Sequence, residues 1–146
     1  MLKGINKLIS PDLIKTLMEM GHGDEIVFGD SNFPAASRAQ LGSHHIIRAD
    51  GHDITSLLGA VLPLFPLDYA VDFTAVLMDY RARLSAEPAV WAKYKATLGA
   101  WPDGDKQYLI LPKPDFYERA KNAYAIVATG ETEGFANIII RKGVVR

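Results

Sequence analysis

The chain has 146 residues, 49% of them hydrophobic, which suits one domain spanning residues 1–146 with a substantial core. A formal net charge of -1, with basic residues scattered rather than blocked, argues against nucleic acid or a membrane surface as partner. The absence of cysteine excludes disulfides, thiolate metal sites and cysteine nucleophiles, and fits a reducing, cytoplasmic setting.

The first residues, "MLKGINKLISPDL", hold no apolar core or small-residue cleavage site, so no signal peptide is expected. "SPDLIKTLMEMGHG" predicts a helix marked at both ends. Ser10 serves as N-cap, Pro11 fits the first helical position and Asp12 favours the positive end of the dipole. Leu13, Leu17 and Met20 recur at helical spacing, and Gly21 supplies a stop. His22 and Gly23 then fall in a tight connection. Ile26, Val27 and Phe28 form a short apolar run suited to a strand covered on both faces. Asp30 follows, and "SNFPAAS" reads as a loop.

"HHIIRADG" predicts a second strand that ends in a turn at Asp50-Gly51. "DITSLLGAVLPLF" predicts a helix capped by Asp53, with Leu57, Leu58, Val61 and Leu62 inward. Its apolar part is too short to span a bilayer and carries prolines. Phe73 to Met78 is a further strand candidate. "EPAVWAKYKATLG" predicts an amphipathic helix with Val90, Trp91, Tyr94 and Leu98 on one side, stopped by Gly99. Trp91 and Tyr94 are expected in the core or at subunit contacts.

A loop with Pro102, Asp103 and Gly104 leads to the strand "YLILP". The helix "DFYERAKNA", the strand "YAIVATG", and a turn into a last strand within "ETEGFANIIIRKG" complete the chain. The segments "LGSHH" near 41 and "GAWPDG" near 99 are the expected flexible loops. Helices alternating with strands predict an α/β domain with a mainly parallel central sheet flanked by helices.

In open α/β sheets the binding crevice lies beyond the carboxyl ends of the strands, and Asp30 stands at such an end. Histidine exchanges protons near neutrality, its unperturbed pKa being ~6.5. Glycines on both sides leave the His22 ring open to an incoming molecule. The same spacing also fits plainer roles, with His22 at a helix C-terminus and Asp30 as a turn residue. A metal set of His22, Asp24 and Asp30 has no supporting histidine pair, and no metal is expected. His44 and His45 are adjacent, so on a strand they point to opposite faces. With His52 they read as surface or loop residues. No P-loop, dinucleotide fingerprint or nucleophile elbow occurs, so no cofactor is expected.

The stretches "LISPDLIKTLMEMGHGDEIVFGDSNFPA", "HIIRADG", "FYERAKNAYAIVATGE" and "ANIIIRKG" closely resemble the L-fucose mutarotase and D-ribose pyranase family. The match runs from the first residues to the last strand and is weaker from about Val71 to Lys113. The Gly-His-Gly-Asp-Glu segment followed by Asp30 and Phe33-Pro34 carries most of it, and Phe116 to Arg119 leans to the fucose branch. The resemblance implies an isomerase that interconverts anomers of a free monosaccharide without metal or cofactor. It implies an α/β sandwich assembled into a ring-shaped homo-oligomer, commonly a decamer, with sugar sites near subunit contacts.

Position by position, the resemblance makes His22 the proton donor and Asp30 a sugar-binding carboxylate. Lys113 falls where the fucose branch commonly has arginine. Phe135, Ala136 and Asn137 fall on a sugar-binding tripeptide that normally begins with tyrosine. Lysine keeps the charge but not the guanidinium fork. Phenylalanine keeps a ring face but loses a hydroxyl. The expected chemistry is ring opening and closure, with His22 protonating the ring oxygen and Asp30 orienting hydroxyls and bearing on the histidine's ionisation. Asn137 donates and accepts toward a hydroxyl pair. Tyr117 and Glu118 read as packing and a solvated helix face. The alternatives are a non-catalytic sugar-binding or regulatory module, a ribose-type pyranase, or an oligomer with a vestigial pocket.

Overall fold

The strand residues alternate between two apolar layers, and that alternation fixes the architecture. The computed structural model describes residues 1–73, 75–99 and 108–146. Its strands are β1 (Glu25–Gly29), β2 (Ile46–Ala49), β3 (Val76–Met78), β4 (Leu109–Leu111), β5 (Ala125–Thr129) and β6 (Ile138–Arg141). They form one sheet in the order β2-β5-β1-β6-β3-β4. β2, β5 and β1 pair in parallel, as do β3 and β4, while β6 runs antiparallel to both β1 and β3. Five strands therefore end at one edge of the sheet, where β6 begins.

Ile26 and Phe28 of β1, Val127 of β5 and Ile138 and Ile140 of β6 face one layer. Helices α1 (Pro11–Glu19), α3 (Ile54–Val61) and α4 (Val90–Leu98) cover it. Val27, Ile126 and Ile139 face the other, beneath α2 (Ala35–Leu41) and α5 (Lys113–Asn122). The caps on the first face stand where the sequence puts them. Ser10 Oγ accepts from the Leu13 N–H at 3.1 Å, and Asp53 Oδ1 from the Ser56 N–H at 2.8 Å. Gly99 ends α4 with φ 75°, the left-handed region that glycine enters without strain.

Several boundaries differ from the sequence reading. Helix α3 ends at Val61 instead of running on through the prolines, and β3 begins at Val76 instead of Phe73. Helix α1 ends at Glu19 and Met20 is already extended, with Lys142 Nζ donating to the Leu17 and Met20 carbonyls at 2.6 Å each. The positive φ falls at Gly23 (89°), not at Gly21. The segment read as the loop "SNFPAAS" contains the start of α2, whose small Ala35 and Ala39 bury against α5. Helix α5 starts at Lys113, with Pro114 in its first turn, not at Asp115. The "GAWPDG" loop lies outside the described residues after Gly99.

Candidate functional site at the carboxyl edge of the sheet

Asp30 leaves the end of β1 and meets the start of β6. Its N–H donates to Asn137 Oδ1 at 2.7 Å, and its Oδ1 accepts from the Asn32 N–H at 3.0 Å. Asp30 and Asn137 are both buried. Burial pushes the Asp30 carboxyl above its ordinary value, although the N–H groups of Asn32, Ala136 and Phe33 and the Asn137 side chain pull the other way. The turn after Asp30 is tight because Gly29 has no side chain. A Cβ there would stand 2.7 Å from the Phe33 ring.

The tripeptide that ends in Asn137 is held from beneath by α4. Trp91 Nε1 donates to the Phe135 carbonyl at 3.1 Å, and Tyr94 Oη to the Ala136 carbonyl at 2.7 Å. Burial raises Tyr94 above the ordinary phenol value, so it remains a neutral donor. Phe135 adopts φ 60°, a strained conformation for a bulky residue that its surroundings must hold. Glu133 completes the clamp, accepting from the Ala89 and Val90 N–H groups at 2.6 and 3.0 Å and so capping α4. Neither Glu133 nor the two aromatic donors had a local signal in the sequence, since each partner lies more than forty residues away.

Lys113 reaches the same edge from the N-terminus of α5. Its Nζ stands 5.3 Å from the Tyr117 ring centroid, and Tyr117 packs edge-on against Phe33 at 5.3 Å. Arg38 of α2 approaches the same ring at 5.7 Å. Tyr117, set aside from sequence as packing, thus links Lys113 to the Asp30 loop. The i,i+4 spacing of Lys113 and Tyr117 on a helix was the available signal. A cleft of about 360 Å³ opens beside Asp30, lined also by Ser31, Arg48, Asp50 and Thr129. That volume suits a small ligand.

His22 is not there. It lies beyond the amino end of β1, whereas Asp30 lies beyond its carboxyl end. The four residue steps of β1 alone, at about 3.3 Å each, span roughly 13 Å. The expectation that Asp30 bears on the ionisation of His22 is therefore corrected for a single chain: an extended strand separates them. The partner of His22 is Asp68, with Nε2 to Oδ1 at 3.3 Å. The His22–Asp24–Asp30 metal set also fails to converge, since β1 separates Asp30 from the other two; Asp24 Oδ2 accepts the Gly21 N–H at 2.7 Å. Among the described residues no three metal-ligating side chains cluster. His44 and His45 are exposed, with His45 stacked on Tyr124 at 5.2 Å.

The sheet order and its flanking helices define an α/β protein with a mixed, mostly parallel sheet, and the Asp30–Asn137 joint stands at its strand ends. Residues 3–145 match the RbsD / FucU transport protein family, and the chain belongs to it. It is 47% identical over 145 residues to the fucose mutarotase of Mus musculus, covering 97% of this chain and 94% of the mouse protein. It is 46% identical over 144 residues to the L-fucose mutarotase of Histophilus somni (strain 2336), covering 99% and 97% of the two. The crystal structure of the fucose mutarotase from Streptococcus pneumoniae in complex with L-fucose superposes with a TM-score of 0.86 at 49% identity, covering 99% of this chain and 100% of the other. Among the described residues no helix is long and apolar enough to cross a membrane.

Proposed function

We propose that this chain is a mutarotase that interconverts the anomers of L-fucose or a closely related free monosaccharide, in the cytoplasm and without a metal or organic cofactor. The observation that carries this reading is the 49% identity, across 99% of the chain, to a fucose mutarotase crystallised with L-fucose. The reaction opens and recloses the ring. The anomeric hydroxyl gives its proton to water, its oxygen forms the carbonyl, and the bond from C1 to the ring oxygen breaks. His22, in its protonated form, supplies the proton that the ring oxygen takes. Rotation about the C1–C2 bond exposes the other carbonyl face; on closure the hydroxyl that re-forms the bond returns its proton to His22, and the C1 oxygen takes a proton back from water.

In this reading Asp30 and Asn137 fix sugar hydroxyls. Phe135 offers its ring face, the Ala136 backbone shapes the floor, and Lys113 supplies a cation at the rim. Asp30 and His22 stand at opposite ends of β1, so one chain does not bring them to one sugar. We place the site between two copies, His22 of one facing the Asp30 edge of the next. A closed ring of identical head-to-tail contacts, a decamer by resemblance, satisfies that arrangement.

NMR exchange between the anomeric proton signals of L-fucose tests the reading. Catalysed exchange is expected with the native protein and lost with His22→Ala. The missing hydroxyl at Phe135 favours a second reading, a sugar-binding module without catalysis; sugar-dependent thermal stabilisation with exchange at the water rate would select it.

Asp30 also predicts a pH dependence. Its carboxyl is raised in the fold, so its stabilising contribution is full below the unfolded-state value and is lost as pH rises through the folded one. Sugar binding runs the other way, because the ionised carboxylate is the better acceptor. KM for fucose is expected to rise as pH falls through the raised Asp30 value. Saturation curves for the native protein and Asp30→Asn, taken at several pH values, check this: the variant lacks that limb.

A further inference from the structure

The amino edge of the sheet holds a second arrangement, centred on His22 and away from the Asp30 cleft. Beyond Arg141 the chain runs between two loops and ties both down. On one side the Gly23 N–H donates to the Lys142 carbonyl and the Lys142 N–H to the Asp24 carbonyl, each at 2.8 Å. On the other the Asp68 N–H donates to the Arg141 carbonyl at 3.1 Å and the Gly143 N–H to the Pro66 carbonyl at 2.8 Å. His22 and Asp68, distant in sequence, are thus held as neighbours by the backbone. The left-handed turn at Gly23 belongs to the same construction, since a Cβ there would stand 3.0 Å from Arg141 Nη2.

The side chains form a row. Arg119 donates twice to Glu25, at 2.9 and 2.6 Å, and Glu25 lies 3.8 Å from Arg141 Nη1. Arg141 Nε donates to Asp68 Oδ2 at 2.8 Å. Asp68 Oδ1 accepts the Ala70 N–H at 3.0 Å and stands 3.3 Å from His22 Nε2. The Asp68 side chain is 4% exposed, while that of His22 is 52% exposed. Among the described residues His22 Nδ1 has no hydrogen-bond partner.

We infer that Asp68, held by Arg141, is the positioning residue for His22: it keeps the Nε2 proton facing its carboxylate and leaves Nδ1 as the atom that exchanges a proton with the substrate. This rests on the reading of His22 as the proton donor. The contact is an ion-pair approach; a fixed carboxylate that close to one ring nitrogen favours the tautomer protonated there and leaves the other nitrogen for the chemistry. Burial pushes the Asp68 carboxyl up, but the Arg141 hydrogen bond, the Ala70 N–H and His22 together hold it below the ordinary value. It therefore stays an acceptor while His22 cycles. In the neutral ring Nε2 carries the proton and Nδ1 a lone pair. In the imidazolium both carry protons, and the Nδ1 proton passes to the ring oxygen. Asp68 keeps its charge throughout, and the only other proton moved is the one the anomeric hydroxyl exchanges with water.

Long-range ¹⁵N–¹H correlation on ¹⁵N-histidine-labelled protein tests this without any variant, His22 being assigned as the signals missing from His22→Ala. The expected result is neutral His22 with its proton on Nε2. A neutral His22 protonated on Nδ1 would falsify the inference. Asp68→Asn is expected to lower kcat for anomer exchange about 10- to 100-fold with little change in KM, the range seen when a partner that orients a histidine is lost. Its His22 is expected to show a mixed tautomer population. Asp68→Glu, which keeps a carboxylate, is expected to restore part of the rate. Unchanged kcat and tautomer in folded Asp68→Asn overturn the proposal. Full exchange in His22→Ala overturns the mutarotase mechanism itself, so the two failures are told apart.

Discussion

Changing His22 to Ala is expected to remove the catalysed exchange of fucose anomers, and co-assembly with Asp30→Asn is expected to bring a defined part of it back. A positioned acid or base contributes roughly 10²–10⁴-fold, and His22→Ala is expected to lose on that scale, whereas Asp30→Asn is expected to lose activity through weakened sugar binding. Each fails for a different half of the site. Because β1 holds His22 and Asp30 at its opposite ends, a sugar that meets both meets two copies. When the two variants are co-expressed in equal amounts and assemble at random, half of the contacts receive an intact His22, and half of those also an intact Asp30. About a quarter of native activity is then expected from a head-to-tail assembly. A site contained in one chain gives no recovery, since neither variant carries an intact one. Anomer exchange rates per chain, compared between the co-assembled sample and the separately purified variants, decide between the two. Recovery absent from a sample shown to contain mixed oligomers sinks the two-copy site and leaves the chemistry of His22 standing.

The sequence made the elements legible wherever their signals are local. Ser10, Asp53 and Gly99 mark helix ends by chemistry acting within a turn, and all three act as expected. The apolar run at Ile26–Phe28 is buried on both faces, as a central strand requires. Helix α2 escaped because Pro34 stands at its N-cap without a side-chain hydrogen bond, and its buried stripe consists of alanines too small to register as periodic. The sequence offered candidate residues but not their geometry. Eight positions separate His22 from Asp30, a spacing that looks close until the extended strand between them is counted. Apart from the Asn32 N–H on Asp30, the contacts that give those residues their properties are long-range: Asn137 to Asp30, Asp68 to His22, Tyr94 and Trp91 to the tripeptide. Pairings of that kind leave no period in the chain, and the family resemblance could name the residues without placing them.

Trp91→Ala is expected to be the most damaging single change away from the sugar itself. Trp91 is 1% exposed and packs edge-on against Tyr80 at 5.2 Å. Deleting a buried tryptophan costs about 3–5 kcal/mol through lost burial and the cavity left behind. A domain of this kind is stable by only about 5–15 kcal/mol, so the loss removes a large share. The damage also reaches the site, because the indole N–H holds the carbonyl of Phe135, whose φ of 60° is unfavourable on its own. Trp91→Phe separates the two effects: it keeps most of the buried ring and removes only the donor. Losing one partner of such a bond costs about 1–3 kcal/mol, so the fold should survive. Phe135 is then freed to leave its strained conformation, carrying the start of the tripeptide with it. The expected outcome is a urea midpoint lowered strongly in Trp91→Ala and modestly in Trp91→Phe, at fixed protomer concentration, with KM for fucose raised in both. A Trp91→Phe variant with native KM and native midpoint shows that the Phe135 carbonyl needs no donor, and that the tripeptide is held by Tyr94 and the core beneath it.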